Sequence, residues 1–272
     1  MKIDNLLFIG GGRMAEALIN GILTAQLAEG GQICAVDPDP KRREVLANQY
    51  GISTEETPNG ALTEDTLVVI AVKPQIVGAV LNDLKGKLNS SHLIISIAAG
   101  VTLSFMEKKI EGSGARVIRV MPNTPALIQE GASALSPGKN VSKEDLDIAF
   151  HIFEAVGKAV VMDEGYLDAV TGLSGSGPAY VFSFIEALID AGVKVGLARQ
   201  DADTLVKQTV LGAVKLAMAG DDHPAQLRAL VTSPGGTTIA GLHVMERAGF
   251  QGIIMDAVEA ATNRSKELGK SQ

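Results

Sequence analysis

The chain has 272 residues, 46% of them hydrophobic and 20% charged, with 30 glycines, 4% aromatics and a net charge of −7. That length and apolar content support one or two globular domains with a sizeable core and exclude a disordered chain; the acidic balance argues against nucleic acid, whose phosphate backbone selects a basic face. Cys34 is the single cysteine, so no intrachain disulfide can form and a reducing compartment fits, while the four histidines (His92, His151, His223 and His243) lack ligand spacing, so no metal is expected.

Met1-Lys2 runs straight toward the first strand without the charged, apolar and cleavage regions of a leader, and no apolar run reaches the roughly 18 residues of a membrane span. A cytoplasmic protein with no membrane partner is expected. Leu6–Ile9 is an apolar run that stops at glycine, as a buried parallel strand does. Residues 14–25 then carry Ala17, Leu18, Gly21, Ile22 and Ala25 at helical spacing. Ile33–Val36 reads as a second strand, closed by Asp37-Pro38, with Cys34 buried in it. Strand signals return at 67–72, 93–97, 117–120, 131–135 and 159–162, with helical segments and turns between. This alternation predicts an α/β fold, a doubly wound parallel sheet of the Rossmann type.

From Tyr166 onward no convincing strand appears. Helices are predicted at 178–196, 200–219, 225–230, after the Pro234-Gly235-Gly236 turn, and at 250–268, with Ser174-Gly175-Ser176-Gly177 as the entry to the first. The expected division is a dinucleotide-binding domain at 1–163 and an all-α domain at 164–272. Several of these helices are apolar over much of their circumference, which calls for burial on more than one side, and a homodimer is the simplest solution.

Gly10-Gly11-Gly12-Arg13-Met14-Ala15 follows the first strand and opens the first helix. In such a G-x-G-x-x-A loop the first glycine permits the turn, the second admits a pyrophosphate, and the small third residue packs helix on strand. Ile9 and Gly10 through Met14 are therefore cofactor-binding candidates. Asp37, with Pro38, ends the second strand, where an acid binds the ribose 2′-hydroxyl of NAD; Lys41, Arg42 and Arg43 just beyond suit the 2′-phosphate of NADP. Both cofactors remain open on these residues. Ala71-Val72-Lys73-Pro74 and Ile97-Ala98-Ala99-Gly100 follow later strands at the ligand-binding edge, where the small Ala98 and Ala99 leave room for the nicotinamide ring. Met121-Pro122-Asn123-Thr124-Pro125 is a rigid turn at the same edge. Ser174–Ala179 serves equally as a helix cap or as a glycine-lined site wall, with Ser176 as a substrate-binding candidate. Ser233-Pro234-Gly235-Gly236-Thr237-Thr238 combines a tight turn, a helix N-terminus and hydroxyls, a pocket for a small carboxylate beside a hydrogen-bonding group.

Together these segments, with Asp168–Tyr180 and Thr232–Thr238 in the same order, resemble the pyrroline-5-carboxylate reductases over residues 6–268. The resemblance implies a Rossmann domain followed by a helical dimerisation domain, five such dimers forming a ring in some members. It also implies reduction of 1-pyrroline-5-carboxylate to L-proline by NADPH or NADH. By the same resemblance Ser233 and the Gly235, Gly236 and Thr237 backbone hold the substrate carboxylate, and Thr238 hydrogen-bonds the ring nitrogen, which makes Thr238 and Ser233 the catalytic pair. Asn59 matches a cofactor-contacting asparagine, and Asp221 falls where some members carry a glutamate near the site. Asp37-Pro38 departs from the uncharged or basic pattern of a strict NADP enzyme, and Leu230 is apolar where some relatives are polar. Two rival readings fit the same fold. A β-hydroxyacid dehydrogenase would need a catalytic lysine on the long helix, where only Lys194 stands, near its C-terminal end. A nucleotide sensor would have kept the fold and lost the chemistry.

Overall fold

The computed structural model describes residues 3–58 and 60–270. Among these, eight strands form one sheet: β1 (Leu6–Ile9), β2 (Ile33–Val36), β3 (Ser53–Glu55), β4 (Leu67–Ile70), β5 (Leu93–Ser96), β6 (Arg116–Met121), β7 (Gly131–Pro137) and β8 (Gly157–Val161), ordered 3-2-1-4-5-6-7-8. The first six strands pair in parallel and the order reverses between β1 and β4, the switch point at which dinucleotide folds bind their ligand. β7 runs antiparallel to β6. Residues 122–130, which join them, are too few for a crossover.

Alternation along each strand divides the core. Leu6 and Phe8 face a cluster with Leu18 and Ile22 of α1 (Arg13–Thr24), Leu46 of α2 (Pro40–Tyr50), and Ile152 and Phe153 of α5 (Lys143–Glu154). Leu7 and Ile9 face the other side, with Val77, Leu81 and Leu84 of α3 (Pro74–Lys85) and Met106 of α4 (Leu103–Lys109). Helices thus cover both faces, which is why β1, β4 and β5 read as continuous apolar runs.

Three local differences from the sequence reading have physical causes. β3 was missed, because Ser-Thr-Glu carries no apolar signal and becomes a strand only by pairing with Cys34–Val36 at the sheet edge. The run at 67–72 leaves the sheet after Ile70, where Ala71 comes against Gly10. Cys34 is half-buried rather than buried, since it lies at the margin of the second core cluster and lines a surface pocket with Ser53 and Glu55; burial, then the nearby Glu55, pushes its thiol pKa up.

Beyond β8 the chain is helical: α6 (Leu167–Val170), a π-turn at Thr171–Gly175, α7 (Gly177–Lys194), α8 (Arg199–Met218), α9 (Pro224–Leu230), α10 (Thr237–Arg247) and α11 (Phe250–Lys270). Packing separates two compact units. One runs through Ser176 and resumes at Glu259; the other is Gly177–Val258. Residues 164–176 and the end of α11 therefore pack with the sheet. In the second unit α7 and α8 form a hairpin that turns at Gly196 (φ 102°), and Gly192 lies so close to Ala202 that a Cβ there would stand 2.9 Å from the alanine methyl. Ala202 is the one buried residue among those described in this unit. Phe182, Leu216, Met218 and Met255 are 58–71% exposed. His223 caps α9, accepting from the Ala225 amide at 3.2 Å, so that histidine has a structural task. Among the described residues no helix is long and apolar enough to cross a membrane.

Candidate active site

The glycine loop is built by close approach of backbone. Gly10 has φ 98° and donates its N–H to the Val36 carbonyl at 2.8 Å; a Cβ there would lie 2.6 Å from the Ala71 oxygen, so only glycine fits. Gly12 is the N-cap of α1, where no side chain caps the helix, and a Cβ at Gly12 would meet nothing within 4 Å. Uncapped amides facing open space are what a pyrophosphate needs. Ala15 is fully buried, Met14 packs on the core and Arg13 is exposed.

Asp37 is half-buried beside this loop. Its Oδ2 accepts the Gly11 amide at 2.8 Å and its Oδ1 accepts the Asp39 amide at 2.9 Å. Arg42 donates to the Gly11 carbonyl and pairs with Glu16 at 2.5 Å, and Arg43 donates to the Asp37 carbonyl at 2.7 Å and the Pro38 carbonyl at 3.1 Å. Lys41 is exposed. Asn59 lies outside the described residues.

A cavity of about 410 Å³ opens beyond the C-terminal ends of β4 and β5. It brings together three residues singled out from sequence, Pro74, Ala99 and Ser176. Gly100 and Thr171 line it too, and the far wall is Ala261, Arg264, Ser265 and Leu268 of α11. Ala98 is buried behind Ala99, Ala71 and Val72 are half-buried, and Lys73 is exposed at the N-cap of α3. The α11 wall escaped the sequence reading. Its cause is distant: Ser265 is 6% exposed and donates to Asp168 Oδ1 at 2.6 Å across 97 residues of sequence.

Polar braces hold the other walls. Glu164 accepts the Leu103 amide at 2.6 Å and the guanidinium of Arg119 at 2.8 Å, anchoring α4 just after the Ala98–Gly100 turn. Ser174–Gly177 is not the N-cap considered from sequence. The Ser176 amide bonds the Thr171 carbonyl at 2.8 Å, a π-turn continuing α6, and the Ser174 hydroxyl donates backward to Val170 at 3.2 Å. Pro178 has no N–H for the Ser174 carbonyl four residues earlier; Asn123 Nδ2 supplies that donor at 3.0 Å, while its Oδ1 accepts the Ala132 amide at 2.8 Å. The Met121–Pro125 turn thus contributes a brace for the Ser176 wall. A larger cleft of about 880 Å³, near Glu107 and Arg116, lies where β6 begins, the edge opposite to that used by ligands in such sheets, and holds none of these residues.

In the helical unit Ser233-Pro234-Gly235-Gly236 is a tight turn. The Gly236 amide bonds the Ser233 carbonyl at 3.1 Å and Gly235 has φ 66°. A Cβ on Gly236 would stand 2.3 Å from the Ser233 hydroxyl oxygen, so the serine hydroxyl leans over the glycine. Gly236 is the N-cap of α10 and no side chain caps that helix. The hydroxyls of this run are therefore not spent on capping, the ordinary use of serine and threonine there. Thr238, in the first turn, is half-buried. Leu230 is 75% exposed and Lys194 stands in the last, exposed turn of α7, a position that gives no support to a catalytic lysine.

A family model described as pyrroline-5-carboxylate reductase dimerisation matches residues 164–268, and one described as NADP oxidoreductase, coenzyme F420-dependent, matches residues 5–100. A pyrroline-5-carboxylate reductase of Methanosarcina acetivorans is 46% identical over 99% of this chain and 100% of its own length. The chain belongs to the pyrroline-5-carboxylate reductase family. An Arabidopsis thaliana member is 45% identical over 97% of this chain and 95% of its own. Among solved structures, the Coxiella burnetii reductase superposes with a TM-score of 0.92 at 37% identity, covering 98% of this chain and 99% of that one. The Plasmodium falciparum reductase, solved with NADP bound, gives 0.87 at 37% identity, covering 99% of each chain. Family membership makes the chain an NAD(P)H-dependent oxidoreductase of proline biosynthesis. Among the described residues no group of three His, Cys, Asp or Glu side chains is placed to hold a metal.

Proposed function

We propose that the chain reduces the C=N bond of 1-pyrroline-5-carboxylate to give L-proline, with residues 1–163 binding the dinucleotide and 164–272 supplying the substrate and dimer contacts. The observation that carries the site assignment is the uncapped N-terminus of α10 behind the Ser233–Gly236 turn. Its amides and the Ser233 hydroxyl hold the substrate carboxylate, which fixes the ring face presented for reduction. The reduced nicotinamide supplies the hydride to the imine carbon. Thr238 orients the ring nitrogen and relays a proton to it, directly or through water; its hydroxyl is too weak an acid to protonate an imine unaided. Holding the reacting groups in register supplies several kcal/mol, within the roughly 7–11 kcal/mol of ideal alignment. The nucleotide site comprises Gly10–Met14, Asp37, Pro38, Asn59 and the turns at Ala71–Pro74 and Ala98–Ala99, with Ser176 on the substrate side. Gly12's open cradle supports the fit.

The exposed apolar side chains of the helical unit support a homodimer; a ring of five such dimers rests on the family resemblance alone. The working compartment is the cytoplasm. The test of the site is Thr238→Ala in steady-state kinetics: kcat falls about 10²-fold, the cost of one transition-state donor, with cofactor affinity unchanged. Near-normal turnover would remove Thr238 from the mechanism.

A further inference from the structure

Dinucleotide preference is set at the end of the second strand, beside the glycine loop, and there this chain carries an acid, Asp37. Asp37 is held against the loop by two backbone amides: Gly11 on Oδ2 at 2.8 Å and Asp39 on Oδ1 at 2.9 Å. The carboxylate is thereby fixed at the C-terminal end of β2, the position from which an acid reaches the ribose 2′-hydroxyl. The bases nearby are largely committed. Arg42 lies on the Gly11 carbonyl and on Glu16, and Arg43 on the carbonyls of Asp37 and Pro38. Asp39 adds further negative charge and Glu16 offsets Arg42, while the side chains of Arg13 and Lys41 are exposed. A 2′-phosphate arriving here meets the fixed Asp37 carboxylate, whereas a 2′-hydroxyl finds an acceptor with lone pairs to spare.

We infer that Asp37 makes this chain an NADH-preferring member of its family, acting as the residue that discriminates against the 2′-phosphate. The inference rests on the nucleotide-binding reading of the Gly10–Gly12 loop and goes beyond it. It also separates two tasks of one side chain. As a brace for Gly11, Asp37 acts on both cofactors alike; as a charge, it acts on NADPH alone.

The test is direct binding of NADH and NADPH to the intact protein, read from the fluorescence of the reduced nicotinamide, for the parent and for Asp37→Asn. Asparagine keeps one acceptor, for the Gly11 amide, gives up the one on the Asp39 amide, and removes the charge. The parent binds NADH at least about tenfold more tightly, the discrimination that about 1.4 kcal/mol provides. In Asp37→Asn the ratio falls to within about threefold, chiefly through tighter NADPH. Equal or tighter binding of NADPH by the parent would overturn the inference. So would a variant that changes both affinities by the same factor, which is the signature of a brace alone. The parent gives an independent check should the variant misfold: repulsion between partly exposed charges is screened by salt, so the ratio narrows from low to high ionic strength. A salt-independent ratio contradicts the charge mechanism. Binding of neither dinucleotide would instead sink the nucleotide reading itself.

Discussion

The two units of this chain solve the burial problem in opposite ways. In the sheet-bearing unit Leu7, Phe8, Leu18, Leu81 and Phe153 are wholly excluded from solvent, and helices cover both faces. In Gly177–Val258 a single alanine is buried, while Phe182, Val195 and Met255 are 65–79% exposed. Both are rich in apolar residues. The difference is that the sheet unit supplies its own second layer and the helical unit leaves its apolar surface for another surface to cover. The first is a finished domain. The second is completed, in the proposed dimer, by a partner's surface.

The sharpest stability test of the finished half is the ion pair of its buried Arg119. Arg119 sits in β6 with its side chain 7% exposed and takes Glu164 as its partner. Glu164→Ala strands that cation and frees the Leu103 amide, so denaturant unfolding should show a loss of about 3 kcal/mol, independent of protein concentration. A loss below about 1 kcal/mol would mean that Arg119 finds water. The unfinished half should behave differently. Leu211 and Val214 lie three residues apart on α8, 47% and 52% exposed. Leu211→Glu with Val214→Glu should turn a dimer or larger assembly into monomer by light scattering, with each buried charge costing about 2 kcal/mol or more. The parent's melting temperature should also rise with protein concentration, as it does when partners bind only the folded state. A monomeric parent would refute the contrast.

Gly12→Ala separates folding from function within the first unit. Because no protein atom meets the added methyl, stability should change by less than about 1 kcal/mol. Dinucleotide affinity should fall about tenfold in a binding titration, since the methyl occupies the approach to the α1 amides. The smallest effect concerns acid. Burial raises the Asp145 carboxyl, but the Arg116 guanidinium and the Ser142 amide and hydroxyl outweigh it, and its pKa lies below the ordinary 3.8. A depressed folded value adds stability above the unfolded pKa and loses it as pH falls through the folded one. Below about pH 4 stability should therefore fall more steeply with pH in the parent than in Asp145→Asn, as measured by denaturant unfolding at a series of pH values.

Elements whose cause is local were legible in the sequence. The β1 run, the glycine loop, the helix starting at Thr237 behind Pro234-Gly235-Gly236, and the stop at Gly196 each carry their signal within a few residues. Elements whose cause is distant were not. β3 exists because β2 offers it an edge. Ser174–Ala179 reads as a cap or a site wall, but the fold runs a π-turn through Thr171–Gly175 into it, and the donor for the Ser174 carbonyl, Asn123, is 51 residues away. The α11 wall of the cavity depends on the Asp168–Ser265 bond, which spans 97 residues, and no periodicity or turn rule reaches that far. Side-chain roles followed the same divide. Asp37 was visible as an acid at a strand end, but only the fold shows both its oxygens on backbone amides.

The most direct test is to add 1-pyrroline-5-carboxylate to the intact protein with NADH or NADPH, and to follow loss of the reduced nicotinamide together with appearance of proline. One proline per dinucleotide oxidised, with greater kcat/KM for NADH, is the predicted result. A folded protein that binds dinucleotide and yet forms no proline with either would contradict the assignment.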